Sequence, residues 1–341
     1  MPRAICACLG AAALIAGCGS GAGHGGSSAT RPASTAGSAS TGSGAAAAPA
    51  SLTAAQHPRP GDFPPANGRS VLALQKLLAV QAHVGVATEL ATPGTNRVAF
   101  ALLALDNSFI YAPTVVYVAA SPNAPAQGPF PAPIDPIRVD ARFASRAASG
   151  PGTIQAIYET QLPLPRPGNY GILAVARQNG QLVGGLTQTQ VRSSSPIPRV
   201  GQVAPRVHTP TVASVHGNVA SIDTRDPHDD MHQADLAAVA GHQPVALLFS
   251  TPALCQSRVC GPVTDLALQV ESEFRGRVTF IHNEVYNANN PGQDLRPQLL
   301  AFHLETEPWL FTLDRRGRIA ARLEGAFGIE AFRSAVRAAL R

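Results

Sequence analysis

The chain is poor in charged residues, in aromatic residues and in lysine. Charged residues make up 14% of its 341 residues, aromatic residues make up 5%, and Lys76 is the sole lysine. An ordinary soluble protein carries about 25% charged residues, so part of this chain is not expected to be globular. The net charge of +5 rests almost wholly on arginine, and the sequence has no long run of basic residues. These features argue against a nucleic-acid-binding protein.

Long apolar runs are also scarce, which excludes a multi-span membrane protein. The one such stretch, from Ala4 to Ala16, follows Arg3 and is too short to span a bilayer, so residues 1–17 are predicted to be an export signal. The residues Ile15-Ala16-Gly17-Cys18 that end it resemble the lipobox of bacterial lipoproteins. The resemblance implies that Cys18 carries a lipid and holds the protein at the extracytoplasmic face of the cell membrane. The alternative is an ordinary cleaved signal in which Cys18 is incidental.

Residues 18–70 are rich in Ser, Gly, Ala, Thr and Pro, and Phe63 is their sole aromatic residue. Such a composition buries too little apolar surface to offset the entropy lost on ordering the chain. After the lipid anchor site, this segment is therefore predicted to be a disordered linker.

Short apolar or alternating runs separated by Pro, Gly and Asn fill residues 71–192. The predicted strands cover residues 97–105, 114–119, 153–162, 170–177 and 182–191. Asn179-Gly180 between the last two is a strong signal for a two-residue hairpin turn. This pattern predicts an all-β sandwich of immunoglobulin-like type. The region has no cysteine, so it is interpreted as a spacer or a partner-binding module.

Residues 193–199 are predicted to be a hinge, and residues 200–341 a second, α/β domain. The entry Val200-Gly201-Gln202-Val203-Ala204-Pro205 resembles that of extracytoplasmic redoxins. A buried-strand run at 244–249 precedes apolar residues at helical spacing from Val263 to Phe274. The order of elements that follows is similar to that of the thioredoxin-like superfamily. The resemblance implies a cis peptide bond before Pro308 and places Pro308 opposite the cysteines.

The cysteines that remain after an export signal and a lipid site are Cys255 and Cys260, at the predicted strand-to-helix junction. A helix N-terminus offers unpaired N–H groups and partial positive charge, which stabilise the reactive thiolate. Cys255 lies nearer the loop and is predicted to be the attacking thiol, with Cys260 as the resolving thiol. Four residues separate the two cysteines, whereas thioredoxins have two. For the sulfur atoms to meet, either Cys255 must lie in the loop or the first turn of the helix must be unwound.

Three functions fit this cysteine pair. The first is a thiol-disulfide oxidoreductase that acts on protein thiols or disulfides without a cofactor. The second is a copper-binding chaperone that resembles the Sco type, with Cys255, Cys260 and His303 as ligands. The third is a binding module in which the pair forms a structural disulfide. A peroxidase is disfavoured because the peroxidatic motif of peroxiredoxins is missing.

Further residues are candidates for binding substrate or for tuning the cysteines. Thr251 and Pro252 precede the cysteines, and Pro308 with Trp309 is expected to line the substrate groove. Core packing is the alternative for Trp309. His282 and Glu284 follow a predicted strand and are candidates for tuning the thiols, with a hydrogen-bonded structural role as the alternative.

The segment from Asp223 to His232 is rich in aspartate and histidine. It is interpreted as a solvated loop leading into a helix over 231–239, with Asp229 or Asp230 as the N-cap. The alternative is a metal site that uses His228 and His232, which are four residues apart.

Overall fold

A computed structural model of the protein describes residues 50–146, 153–255 and 259–341. The export signal predicted for residues 1–17 and the lipid site predicted at Cys18 lie outside these ranges. Within the described ranges, every helix is too short or too polar to cross a bilayer.

The described chain starts with ordered structure where the sequence predicted a disordered linker. Helix α1 (Ala50–Ala55) buries Leu52 and Ala55, which are 6% and 0% exposed, in the core of the following β-region. Phe63 is buried in a second cluster of the same region. The prediction of disorder is therefore wrong for residues 50–70, because a few well-spaced apolar side chains suffice to dock this stretch on an existing core.

Two β-sheets form the first large region. After helix α2 (Val71–Gln75), the strands are β1 (Val80–Gln81), β2 (His83–Val86), β3 (Gly94–Leu103), β4 (Thr114–Ala119), β5 (Gln127–Pro131), β6 (Ile134–Pro136), β7 (Ala156–Leu164), β8 (Gly168–Gln178) and β9 (Gln181–Val191). One sheet has the order β1-β9-β8-β4-β5 and the other β2-β3-β7-β6. Side chains from both sheets, including Phe100 on β3 and Val116 on β4, share one core. The region is thus a two-sheet β-module, and its immunoglobulin-like type stays a prediction.

The β8–β9 hairpin confirms the turn predicted from the sequence. Asn179 and Gly180 have φ angles of 50° and 77°, and Gln178 pairs with Gln181 across the turn. Positive φ at both central residues is what a two-residue hairpin of this kind requires, and Asn-Gly meets that demand.

A third sheet organises the C-terminal region. Its elements are α3 (Leu236–Val239), β10 (Val245–Phe249), α4 (Cys260–Phe274), β11 (Thr279–Asn283), α5 (Pro297–Ala301), β12 (Trp309–Leu313), β13 (Ile319–Glu324) and α6 (Ile329–Ala339). The strand order is β11-β10-β12-β13, with β10 parallel to β11 and the other two pairings antiparallel. The peptide bond between Glu307 and Pro308 is cis. Strand order, helix order and the cis bond are those of the predicted thioredoxin-like domain.

Alternation along β10 explains how the sheet is covered on both faces. Ala246 and Leu248 pack with α4 and α6, whereas Leu247 and Phe249 pack with α3 and α5. Successive side chains of a strand point to opposite faces, so a continuous apolar run is the expected signature of a central strand.

The β-module packs against the thioredoxin-like domain through buried polar contacts. Asp135 accepts hydrogen bonds from the backbone N–H groups of Glu330 (3.0 Å) and Ala331 (2.8 Å) in the first turn of α6. Burial raises the pKa of Asp135 to about 6 in spite of these bonds. Arg97 donates to the carbonyl groups of Glu324 (2.9 Å) and Ala326 (2.7 Å). Side chains of the β-module therefore complete the backbone hydrogen bonding of the C-terminal region.

The segment predicted to be a hinge is docked on the C-terminal sheet. Ile197 is 8% exposed and belongs to the cluster that contains Phe249. Arg322 on β13 donates to the carbonyl groups of Ile197 (3.2 Å) and Pro198 (2.9 Å). Residues 193–199 thus connect the two regions through fixed contacts, unlike a free hinge.

The contact between the two regions yields a stability prediction. Gly325 has φ +67°, and a Cβ atom there would lie 1.5 Å from the Ala87 carbonyl oxygen of the β-module. Gly276 has a similar φ of +74° with nothing within 4 Å of an added Cβ atom, which makes Gly276→Ala a matched control. We expect Gly325→Ala to lower the free energy of unfolding by about 2 kcal/mol more than Gly276→Ala does, as measured by urea denaturation. Equal losses in the two variants would contradict the contact.

Candidate functional site

The structure brings the two predicted thiols together at the start of α4. Strand β10 ends at Phe249, α4 begins at Cys260, and Cys255 lies in the loop between them. Cys260 is 0% exposed and Cys255 is half-buried, and both are in the thiol form. The sulfur atoms of Cys255 and Cys260 lie within 4.8 Å of each other. Because Cys255 precedes α4, the two sulfur atoms can lie close together, whereas a regular helix would direct side chains five positions apart to different sides.

Two hydroxyl groups hold the first turn of α4 in place. The Cys260 carbonyl accepts hydrogen bonds from Ser250 Oγ (3.2 Å) and from Thr264 Oγ1 (2.9 Å). These two oxygen atoms are 2.9 Å apart, and both side chains are fully buried. The end of β10 is thus tied directly to the residue that carries the buried thiol.

Burial dominates the electrostatics of Cys260. Its pKa is raised well above the usual value, first by burial, then by its contact with Cys255 and by the charge of Glu307, although the backbone of Thr251 opposes the shift. The sequence predicted that the helix N-terminus favours thiolate, and at Cys260 desolvation outweighs that effect. Of the two thiols, the half-buried Cys255 is the one that solvent reaches.

Glu307 is the residue of this site that sequence reasoning missed. One of its carboxylate oxygens and the sulfur atoms of Cys255 and Cys260 all lie within 4.8 Å of one another. Burial, followed by the charges of Cys255 and Glu284, raises the pKa of Glu307 to about 8. A carboxyl group with such a pKa can take or return a thiol proton near neutral pH. Its place directly before the predicted cis-proline was the available signal.

The predicted groove residues are buried. Trp309 is 1% exposed, stacks on Phe311 with ring centroids 5.6 Å apart, and donates from Nε1 to Thr306 Oγ1 at 3.0 Å. The structure therefore shows the alternative predicted for Trp309, which is core packing. Trp309 is the first residue of β12, and its side chain points to the face of the sheet that α3 and α5 cover. Thr251, Pro252 and Pro308 are also buried, so these four side chains do not form an exposed groove. The reachable surface at the thiols includes Ala253, Cys255 and Glu307 instead.

The ligand set of the copper alternative is not assembled. His303 is exposed and has φ 56°, the left-handed conformation that commonly follows the end of a helix such as α5. Among the described residues, the possible metal ligands that lie within 4.8 Å of one another around the two sulfur atoms include Glu307 and not His303.

The two candidate tuning residues lie beneath the cysteine loop. His282 Nε2 is 3.1 Å from the Ser250 carbonyl oxygen, and Nδ1 is 2.8 Å from Asp229 Oδ2. Burial alone would lower the pKa of His282, but the charge and hydrogen bond of Asp229 outweigh it and raise this pKa to about 10. Glu284 Oε1 accepts two 2.7 Å hydrogen bonds from Thr224. The charge of Glu284 raises the pKa of Glu307, and its role in tuning the thiols stays a prediction.

The aspartate-rich segment is only partly exposed, although the sequence predicted a solvated loop: Asp226, His228 and Asp230 are exposed, and other members of the segment are buried. Asp223 and His232 are each 1% exposed, and Asp229 is 9% exposed. Helix α3 begins only at Leu236, and its N-cap is Asp235, which accepts from the N–H of Ala237 at 3.1 Å. The predicted helix over 231–239 therefore exists only as its last four residues, and its predicted start and N-cap were wrong.

The comparisons with known proteins concern one part of the chain. No family model matches the sequence, and no curated protein matches it. A protein of Chlorobium tepidum assigned as the thiol:disulfide interchange protein DsbE is similar in structure, with 15% identity and a TM-score of 0.31 over 42% of this chain and 99% of that chain. A thiol:disulfide interchange protein of the thioredoxin family from Chlorobium tepidum TLS shows 16% identity and a TM-score of 0.29 over 42% of this chain and 98% of that chain.

The raised pKa of Glu307 predicts how stability depends on pH. In the folded protein, Glu307 keeps its carboxyl proton up to about pH 8. In the unfolded chain, with the ordinary pKa of 4.5, Glu307 loses this proton at a lower pH. Between these values the folded state binds more protons, so the contribution of Glu307 is complete below 4.5 and is lost as the pH rises through about 8. We expect Glu307→Gln to reduce the fall in unfolding free energy between about pH 5 and about pH 9.

Glu305→Gln is the matched control for this prediction, since Glu305 lies two residues away with its side chain 78% exposed. Urea denaturation across the pH range measures both variants. The same pH slope in wild type and in Glu307→Gln would show that Glu307 titrates normally.

Proposed function

We propose that this protein is a thiol-disulfide oxidoreductase. The observation that carries the proposal is the contact between half-buried Cys255 and fully buried Cys260 at the start of α4. An exposed thiol next to a protected one fits a reaction in which the first sulfur meets the partner and the second completes the exchange.

The reaction has two balanced steps. The Cys255 thiolate attacks a disulfide of the partner protein, so that a mixed disulfide forms and the other partner sulfur leaves as a thiolate. Cys260, after losing its proton, then attacks the Cys255 sulfur and displaces the second partner sulfur. The partner disulfide is reduced by two electrons, and Cys255 and Cys260 become a disulfide. The reverse sequence oxidises a partner dithiol.

Glu307 is the proton acceptor in the second step. The Cys260 thiol has a raised pKa and is shielded from water, so it needs a base inside the protein. The Glu307 carboxylate lies within 4.8 Å of both sulfur atoms. With a pKa of about 8, part of Glu307 is ionised near neutral pH, and this carboxylate form can accept the Cys260 proton and return it in the reverse reaction.

The proposal also covers where the protein works. The apolar segment at residues 4–16 and the lipobox-like residues before Cys18 support export and a lipid anchor at the extracytoplasmic face. An oxidising compartment is the place where a thiol-disulfide exchanger meets protein disulfides. The partners are protein thiols or disulfides, and the exchange itself requires no cofactor.

Redox titration of the purified full chain in glutathione buffers tests this function. We expect a reversible two-electron couple between Cys255 and Cys260, assigned by peptide mass mapping. The Cys260→Ser variant should accumulate a glutathione mixed disulfide at Cys255, because the resolving thiol is missing. The Cys255→Ser variant should not accumulate one at Cys260, which is buried.

Two results would contradict the proposal. A Cys255–Cys260 disulfide that resists reduction until the protein unfolds would favour a structural role. Tight Cu(I) binding that depends on both cysteines and on His303 would favour the copper-chaperone alternative.

A further inference from the structure

A second group of chemically reactive side chains lies below the cysteine loop. Asp223, Asp229, His232 and His282 each offer one ligand atom, and these four atoms lie within 4.8 Å of one another. The four side chains are at most 1% exposed. A backbone hydrogen bond from His282 N–H to the Met231 carbonyl (2.9 Å) ties the aspartate-rich segment to β11 and so assembles the group.

Both imidazole rings turn a nitrogen atom toward the carboxylates. His282 Nδ1 is 2.8 Å from Asp229 Oδ2 and 3.9 Å from Asp223 Oδ1. His232 Nε2 is 3.3 Å from Asp229 Oδ1 and 3.7 Å from Asp223 Oδ2. Among the described residues, His232 Nε2 is one of few buried side-chain atoms that make no hydrogen bond. A buried polar atom without a partner is costly and points to a missing ligand.

The hydrogen bond on the far side of His282 fixes its tautomer. Nε2 is 3.1 Å from the carbonyl oxygen of Ser250, which can only accept, so Nε2 carries a hydrogen. In the neutral ring, Nδ1 then presents a lone pair to an oxygen of Asp229 that is also an acceptor. Two acceptors 2.8 Å apart must share either a proton or a cation. A ring N–H bonded to a backbone carbonyl is the usual support of a metal-binding histidine.

Backbone N–H groups orient both carboxylates. Asp223 accepts from the N–H of Arg225 and from the N–H of Asp229, each at 2.7 Å. Asp229 Oδ1 accepts from the N–H of Met231 at 2.9 Å. A carboxylate oxygen has two lone pairs, so each of these atoms can still bind a cation. The carboxylates are therefore held in place before any ion binds.

Charge and donor type select the ion. Once a cation has displaced the proton that His282 shares with Asp229, two carboxylates and two neutral imidazoles carry a charge of about −2, which a divalent cation neutralises. Nitrogen and oxygen donors in a four-membered set match the tetrahedral preference of zinc. The ring of His228, with its side chain 46% exposed, has Nδ1 3.6 Å from Asp223 Oδ2 and marks a route from solvent.

From these contacts we infer that Asp223, Asp229, His232 and His282 form a binding site for one divalent transition-metal ion, with zinc as the expected occupant. The site joins the aspartate-rich segment to the end of β11. The site also connects to the cysteines. His282 contacts the carbonyl group of Ser250, and the hydroxyl group of Ser250 holds the first turn of α4. The ion therefore stabilises the support of the cysteine loop and takes no part in thiol exchange.

Zinc binding to the full chain tests the inference. The cysteines must first be removed from the measurement, because Cys255, Cys260 and Glu307 form another group that could bind zinc. An untagged variant with all five cysteines replaced by serine is stripped with a chelator and titrated with zinc against a chromophoric competitor. We expect one zinc ion per chain, a higher melting temperature when zinc is bound, and an X-ray absorption spectrum with two imidazole ligands.

Variants in the same cysteine-free background locate the site. His232→Gln should weaken zinc binding by at least about tenfold. His228→Gln should change the affinity little, since its side chain is half-exposed and outside the group of four. The absorption spectrum needs no variant, so it decides the matter even if His232→Gln fails to fold. The inference would be overturned by absence of zinc binding, by a spectrum without imidazole, or by full affinity in His232→Gln. In that case His282 and Asp229 share a proton instead of a metal ion.

Discussion

The sulfur atoms of Cys255 and Cys260 lie within 4.8 Å of each other, yet one cysteine is half-buried and the other has no exposed surface. This difference in exposure depends on the position of Cys255 ahead of α4 and on the hydroxyl groups that anchor the first turn of α4. Without that anchor, a regular helix would direct residues five positions apart to different sides. The remaining features of the site, including the carboxyl group of Glu307, have a chemical role only because the two sulfur atoms meet there.

The features that the sequence predicted correctly are those with a local physical cause. Asn179-Gly180 predicted a hairpin because few dipeptides tolerate positive φ at two successive positions. The apolar run that became β10 predicted a central strand because both faces of such a strand are buried. The cis peptide bond before Pro308 was predicted from a family resemblance, because Pro308 opens the strand that corresponds to the one with a cis-proline in that family.

The features that sequence reasoning missed depend on contacts between distant residues. Trp309 packs in the core because its register on β12 opposite Phe249 turns it away from the thiols, and register is not readable from a single strand. Apart from its place directly before Pro308, nothing in the sequence separates Glu307 from a surface glutamate until the cysteines are placed beside it. Asp223 and His282 are far apart in sequence, so their shared buried site was invisible before the fold was known. The ordered stretch at residues 50–70 escaped prediction because its composition is that of a linker.

The central claim is that a partner meets Cys255 while Cys260 stays protected behind it. Alkylation of the reduced native protein with iodoacetamide near neutral pH, followed over time by mass spectrometry of the peptides, measures this difference directly. The account predicts that Cys255 is modified many times faster than Cys260 and that unfolding removes the difference. Equal rates in the native protein, or faster modification of Cys260, would contradict it.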